Sequence, residues 1–94
     1  MNKHDFIEGT AAGLRKMNET PSHLLIRSDS FGEWEFDELQ LLGIPVIKTY
    51  IPVCVGYGGV EYPVIPCFKD IPEHKMNMEV YYFQRGFHDK VGGL

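Results

Sequence analysis

Residues 39–55, LQLLGIPVIKTYIPVCV, are apolar on both strand parities and rich in β-branched side chains. Such a run belongs in strands that are buried on both sides or bent between two layers. A chain of 94 residues has little material with which to cover two sheet faces, because a small domain keeps much of its surface wet. The sequence therefore predicts one domain over residues 1–94, and the shortage of cover predicts a homodimer. Pro45 and Pro52 within the run, and Pro63 and Pro66 in VEYPVIPCF beyond it, cannot donate to a ladder. Each is expected at an edge, a strand start or a bulge.

The segments around this run supply helices and further strands. Phe6, Thr10, Leu14 and Met17 recur at helical spacing with Ile7 and Ala11 beside them, while Glu8, Arg15, Lys16 and Glu19 fall elsewhere; this predicts an amphipathic helix over 3–18. Asn2 or Asp5 suits its start, and Thr20-Pro21 prevents its continuation. Gly9 and Gly13 lie on one face of that helix and invite close packing there. HLLIR, 23–27, is short and apolar and runs into the turn formers SDSFG, which predicts a strand and a turn. In FGEWEFDEL, Glu33, Glu35 and Asp37 alternate with Trp34 and Phe36, the pattern of a half-buried strand with an acidic outer face.

Near the C-terminus, Met76, Val80, Phe83, Phe87 and Val91 form a helical stripe, and Gly92 stands where a C-cap glycine belongs. This predicts a helix over 76–91, although Val80 to Phe83 taken alone would also suit a strand. The expected fold class is α+β: a small antiparallel β-sheet of about four strands, with the N-terminal helix and the C-terminal helix on one face.

Composition narrows the function. The net charge of −4 comes from the first half, where residues 1–47 hold four bases against eight acids. No dense Lys and Arg patch exists to release counterions from phosphate, so direct nucleic-acid binding is not expected. The start, MNKHDFIEGTAAGLRK, is charged throughout and has no apolar core of signal-peptide length, which predicts a cytoplasmic protein without a membrane segment. In that compartment Cys54 and Cys67 stay thiols and read as small buried side chains.

VCVGYGGVEYPVIPC, 53–67, is the most conspicuous candidate for chemistry. It lacks the third glycine and the following helix of a dinucleotide fingerprint, and it lacks the Gly-Lys-Ser or Gly-Lys-Thr of a P-loop. VGYG matches an ion-filter core, but no run in the chain is long and apolar enough to span a bilayer around it. What remains is a hairpin turning through 56–59, with Tyr57 at its tip. His4, His23, His74 and His88 have no ligand partners at metal spacing beyond adjacent residues, which do not face one another on a helix. No cofactor or metal is expected.

FDELQLLGIPVIKTYIP, 36–52, resembles a Leu-Gly-Ile-Pro-Val strand pattern of small bacteriophage and prophage proteins. The resemblance covers under a fifth of the chain and brings no functional residues with it. It implies a short accessory product that works by binding. The expected function is thus a non-enzymatic protein–protein interaction module with an unidentified protein partner, contacting it through Glu33, Glu35, Asp37, Glu38 and Tyr57. Two alternatives accompany it. One is an acidic inhibitor that imitates nucleic acid, as anti-restriction and anti-CRISPR proteins do; the other is a small enzyme or ligand-binding subunit using a Cys-His pair.

Overall fold

The computed structural model describes residues 3–27, 40–49, 54–55, 61–62 and 64–92. The first helix, α1 (Lys3–Lys16), buries Phe6, Gly9, Thr10 and Gly13 along one stripe. Asp5 in its first turn and Arg15 and Lys16 in its last complement the helix dipole. Thr10 lies in the core, and its hydroxyl donates to the Phe6 carbonyl at 2.8 Å, which satisfies it without a distant partner. The helix closes with a tightened turn, Met17 N–H to Leu14 O at 3.2 Å, two residues before the predicted limit.

Strand β1 (His23–Arg27) occupies the predicted span. β2 (Gln40–Leu41) and β3 (Ile44–Thr49) form a hairpin joined by Leu42 and Gly43, with φ of 56° and 80°. Positive φ at both central residues is the mirror-image turn whose twist matches its flanking strands. β4 (Cys54–Val55) pairs antiparallel with β5 (Glu61–Tyr62), as the glycine hairpin requires. β6 (Val64–Cys67) follows, and α2 (Glu73–Val91) is the last element. α2 begins three residues before the predicted start, because Pro72 serves as its N-cap and needs no N–H. It ends at Gly92, whose N–H reaches the His88 carbonyl at 2.9 Å, as the sequence predicts.

The main sheet has the order β2-β3-β1-β6, and it is mixed rather than antiparallel. β1 lies parallel to β3 and antiparallel to β6. The physical reason is the long connection after β1: parallel neighbours need a dozen or more residues between them, and residues 28–43 supply that length before β3 begins. The turn expected at SDSFG lies outside the described residues. Pro66 falls on β6, at the sheet's edge, where a missing donor is tolerated, and Pro45 is the second residue of β3. The predicted strand carrying Glu33 to Glu38 lies outside the described residues, as does the tip residue Tyr57.

Both helices cover the same side of the sheet. Phe6 of α1 and Phe83 and Phe87 of α2 join Leu24, Ile26, Val46 and Val64 in one core. The helices touch through their backbones: a Cβ added at Gly13 would stand 2.7 Å from the Phe83 carbonyl oxygen, and one at Gly86 would stand 2.7 Å from that of Ala12. Glycine is required at this crossing because any side chain would force the helices apart. Glu79 is buried beside them, and its Oε2 accepts the N–H of Asn18 at 2.8 Å. A carboxylate on α2 thus fixes the chain where it leaves α1, satisfying a donor that the helix end has left free.

Candidate functional site: the open face of the sheet

Strand alternation assigns the sheet residues to two faces. Leu24, Ile26, Val46 and Val64, together with Pro66, point into the helix layer. Leu25, Ile47 and Ile65 point the other way, and the register aligns them: Leu25 is paired with Ile47 on one side and Ile65 on the other. The result is a three-residue apolar row across β3, β1 and β6. Leu25 and Ile65 are half-buried, whereas Ile47 is 50% exposed. A large aliphatic side chain on the second strand of a sheet, half in water, is more informative than a lone surface leucine.

The β2–β3 hairpin extends this surface. Leu42 at its tip is 49% exposed, and Pro45 is exposed between Leu42 and Ile47. Leu42 is the only non-glycine residue with positive φ among the described residues. That conformation costs a leucine roughly 1–2 kcal/mol, whereas asparagine tolerates it. A strained, solvent-facing leucine beside an open apolar row is an outlier that points to function.

The next row on the same face pairs His23 with Cys67. Ser22 organises both residues: its hydroxyl donates to the Cys67 carbonyl at 3.1 Å and stands 2.9 Å from His23 Nδ1. Burial pushes the Cys67 thiol up from its ordinary value, partly offset by the backbone N–H of Leu25. The thiol is therefore protonated at neutral pH, the reverse of an activated nucleophile. Register brings a thiol opposite an imidazole, as the Cys-His alternative requires, but the surroundings do not activate it.

Other features are less suited to a site. Two hollows of about 180 and 260 Å³ meet at Glu19 and Thr20, each below the roughly 300 Å³ at which small-molecule pockets begin. Glu19 there is held by Lys75 at 2.6 Å, and this hydrogen bond raises the lysine above its ordinary pKa. Among the described residues, no group of three or more His, Cys, Asp or Glu gathers to hold a metal ion. No helix among them is long and apolar enough to cross a membrane. No family model, curated protein or solved structure matches the chain.

The structure brings forward residues that the sequence reading did not single out. Glu33, Glu35, Asp37, Glu38 and Tyr57 lie outside the described residues. Among the described residues, Ile47, Leu25 and Ile65 form the aligned apolar row. Their signal was present in the both-parity apolar run of 39–55 and in LLI and VIP of the flanking strands, but only pairing shows that they align.

Proposed function

We propose that this protein is a small non-enzymatic interaction module that binds a protein partner through the open sheet face. The half-exposed Ile47, aligned with Leu25 and Ile65, carries this reading. No described side chain of the Leu25–Ile47–Ile65 row is charged, so its complement is an uncharged apolar surface with a polar rim. Leu42 projects from the same edge as a further contact. The acidic segment Glu33, Glu35, Asp37 and Glu38 and the loop residue Tyr57 belong to this proposal as outer contacts that steer association. A phage-borne accessory role is compatible with it, and the cytoplasm is the expected compartment.

Affinity capture from the native host tests the reading with three baits: wild type, Ile47→Lys, and a variant with Glu33, Glu35, Asp37 and Glu38 neutralised. The expected result is a partner held by wild type, lost by Ile47→Lys, and held more weakly or with stronger salt dependence by the neutralised variant. Equal capture by wild type and Ile47→Lys, with both folded, would remove the sheet face from the account. Loss confined to the neutralised variant would favour the nucleic-acid mimic instead.

A further inference from the structure

The large hydrophobic side chains left exposed among the described residues fall into two pairs. Leu42 and Ile47 belong to the sheet, and Met78 and Tyr81, 53% and 43% exposed, belong to α2. The α2 pair sits on a helical stripe of exposed residues, His74, Met78, Tyr81, Arg85 and Asp89, which faces away from the centre of the buried side formed by Glu79, Phe83, Gln84, Gly86 and Phe87. This surface is separate from the sheet face and stands on the opposite layer of the fold.

We propose that α2 of one copy packs antiparallel against α2 of a second copy, about a two-fold axis passing between Tyr81 and Tyr82. The four outer residues of the stripe, His74, Met78, Arg85 and Asp89, are symmetric about that point, and Tyr81 lies half a residue from it. The axis places His74 opposite Asp89 of the second copy, Met78 opposite Arg85 of the second copy, and the two Tyr81 rings side by side at the centre. The His74–Asp89 and Met78–Arg85 contacts each occur twice and the Tyr81–Tyr81 contact once, as an isologous interface requires. Charge selects this orientation. Antiparallel packing sets an imidazole against a carboxylate and lays the Arg85 stem over the Met78 thioether, whereas parallel packing would stack Arg85 on Arg85 and Asp89 on Asp89. The acidic first turn of α2, Glu73, also approaches the basic last turn of the other helix, His88 and Lys90.

Tyrosine and arginine at the centre are the residue types that most often dominate an interface. The stripe from 74 to 89 is only about 22 Å long at the helical rise, so the interface belongs to the small, weakly associating class. A dimer joined through the helix layer leaves two sheet faces pointing outward, and each gains from the other when a partner presents two sites.

Sedimentation equilibrium on the full chain, from about 10 μM to about 1 mM, reads the association directly. His74→Glu and Asp89→Lys each favour the helix dipole at their own end, although Asp89→Lys also sets a lysine four residues from Arg85, at a small cost to α2. The expected result is a concentration-dependent dimer of wild type, weakened at least about tenfold by His74→Glu, which faces a carboxylate across the axis. The double variant His74→Glu with Asp89→Lys should recover wild-type association or exceed it. A single species of monomer mass at every concentration would overturn the proposal. So would a dimer that His74→Glu leaves unchanged, or one that the double variant does not restore. Because the sheet-face capture depends on Ile47 and not on this stripe, the two proposals fail separately.

Discussion

The two faces of the sheet have nearly the same chemistry and opposite fates. Leu24, Ile26, Val46 and Val64 are each at most 3% exposed beneath two helices, while Leu25, Ile47 and Ile65 form an equally apolar row that the helices do not reach. Adjacent residues of the same strands thus have different roles. The inner set supplies the burial that holds the domain together, at roughly 25 cal/mol per Å² of apolar surface removed from water. The outer set gives up part of that gain, and Ile47 within it stays half in water. Alternation in β6, buried at 64 and 66 and half-buried at 65 and 67, shows the same division within four residues.

Substitution on the two faces should separate these roles most sharply. Leu24→Ala removes a fully buried side chain and is expected to cost about 2–5 kcal/mol. Ile47→Ala, half in water already, should cost under about 1 kcal/mol. Thermal and denaturant unfolding of both variants checks this; equal losses would mean that the outer row is as much core as the inner one.

The helix layer that covers the inner face depends on glycine, and Gly13→Ala probes it. Alanine adds about 1 kcal/mol of helix propensity, but its Cβ would overlap the Phe83 backbone at 2.7 Å, and overpacking of this kind costs typically about 1–3 kcal/mol. A net loss is expected, with slower-growing damage at Gly9, where the neighbour is the Phe87 ring at 3.0 Å and can move. A gain in stability at Gly13 would mean that the helices are not in backbone contact.

Leu42→Asn tests the open side in the opposite direction. Asparagine relieves the positive φ of the hairpin tip, so stability should rise by about 1 kcal/mol, or about 4–8 °C in Tm for a domain of this size. Partner capture should weaken at the same time, since the exposed leucine is gone. Stabilisation without loss of capture would leave Leu42 as a strained turn residue and nothing more.

The smallest effect concerns Cys67. Its thiol pKa is raised in the fold, so its contribution is fully present below the ordinary thiol value and is lost as pH rises through the folded one. Site-resolved alkylation followed by peptide mass analysis should show Cys67 reacting more slowly than a free thiol at pH 8, with the difference shrinking as pH climbs. Faster reaction than a free thiol would revive the Cys-His reading, because His23 is its cross-strand partner.

Much of the scaffold was legible in the sequence. β1 was read to the residue because five apolar-rich positions are bounded by turn formers, and α2 was recognised from its stripe and from Gly92. The close approach at Gly9 and Gly13 also followed from their shared face. The parallel β1–β3 pairing was not legible, since strand partners across residues 28–43 are chosen by long-range packing and not by local turn chemistry. The Leu42-Gly43 turn was not legible because leucine is disfavoured at its positive φ, nor was the burial of Glu79, because a carboxylate on an amphipathic helix ordinarily faces solvent. The candidate surface was half legible: the both-parity run announced an excess of apolar faces, but register was needed to align Ile47 with Leu25 and Ile65.

The central claim is that the outer row is the working surface, and solvent paramagnetic relaxation of the isoleucine methyl groups tests it most directly. A soluble paramagnetic probe should broaden Ile47 strongly, Ile65 moderately and Ile26 not at all in the isolated chain, with the Ile47 effect collapsing when the captured partner is added. An Ile47 methyl already protected in the isolated chain, or one still fully accessible in the complex, would contradict the account.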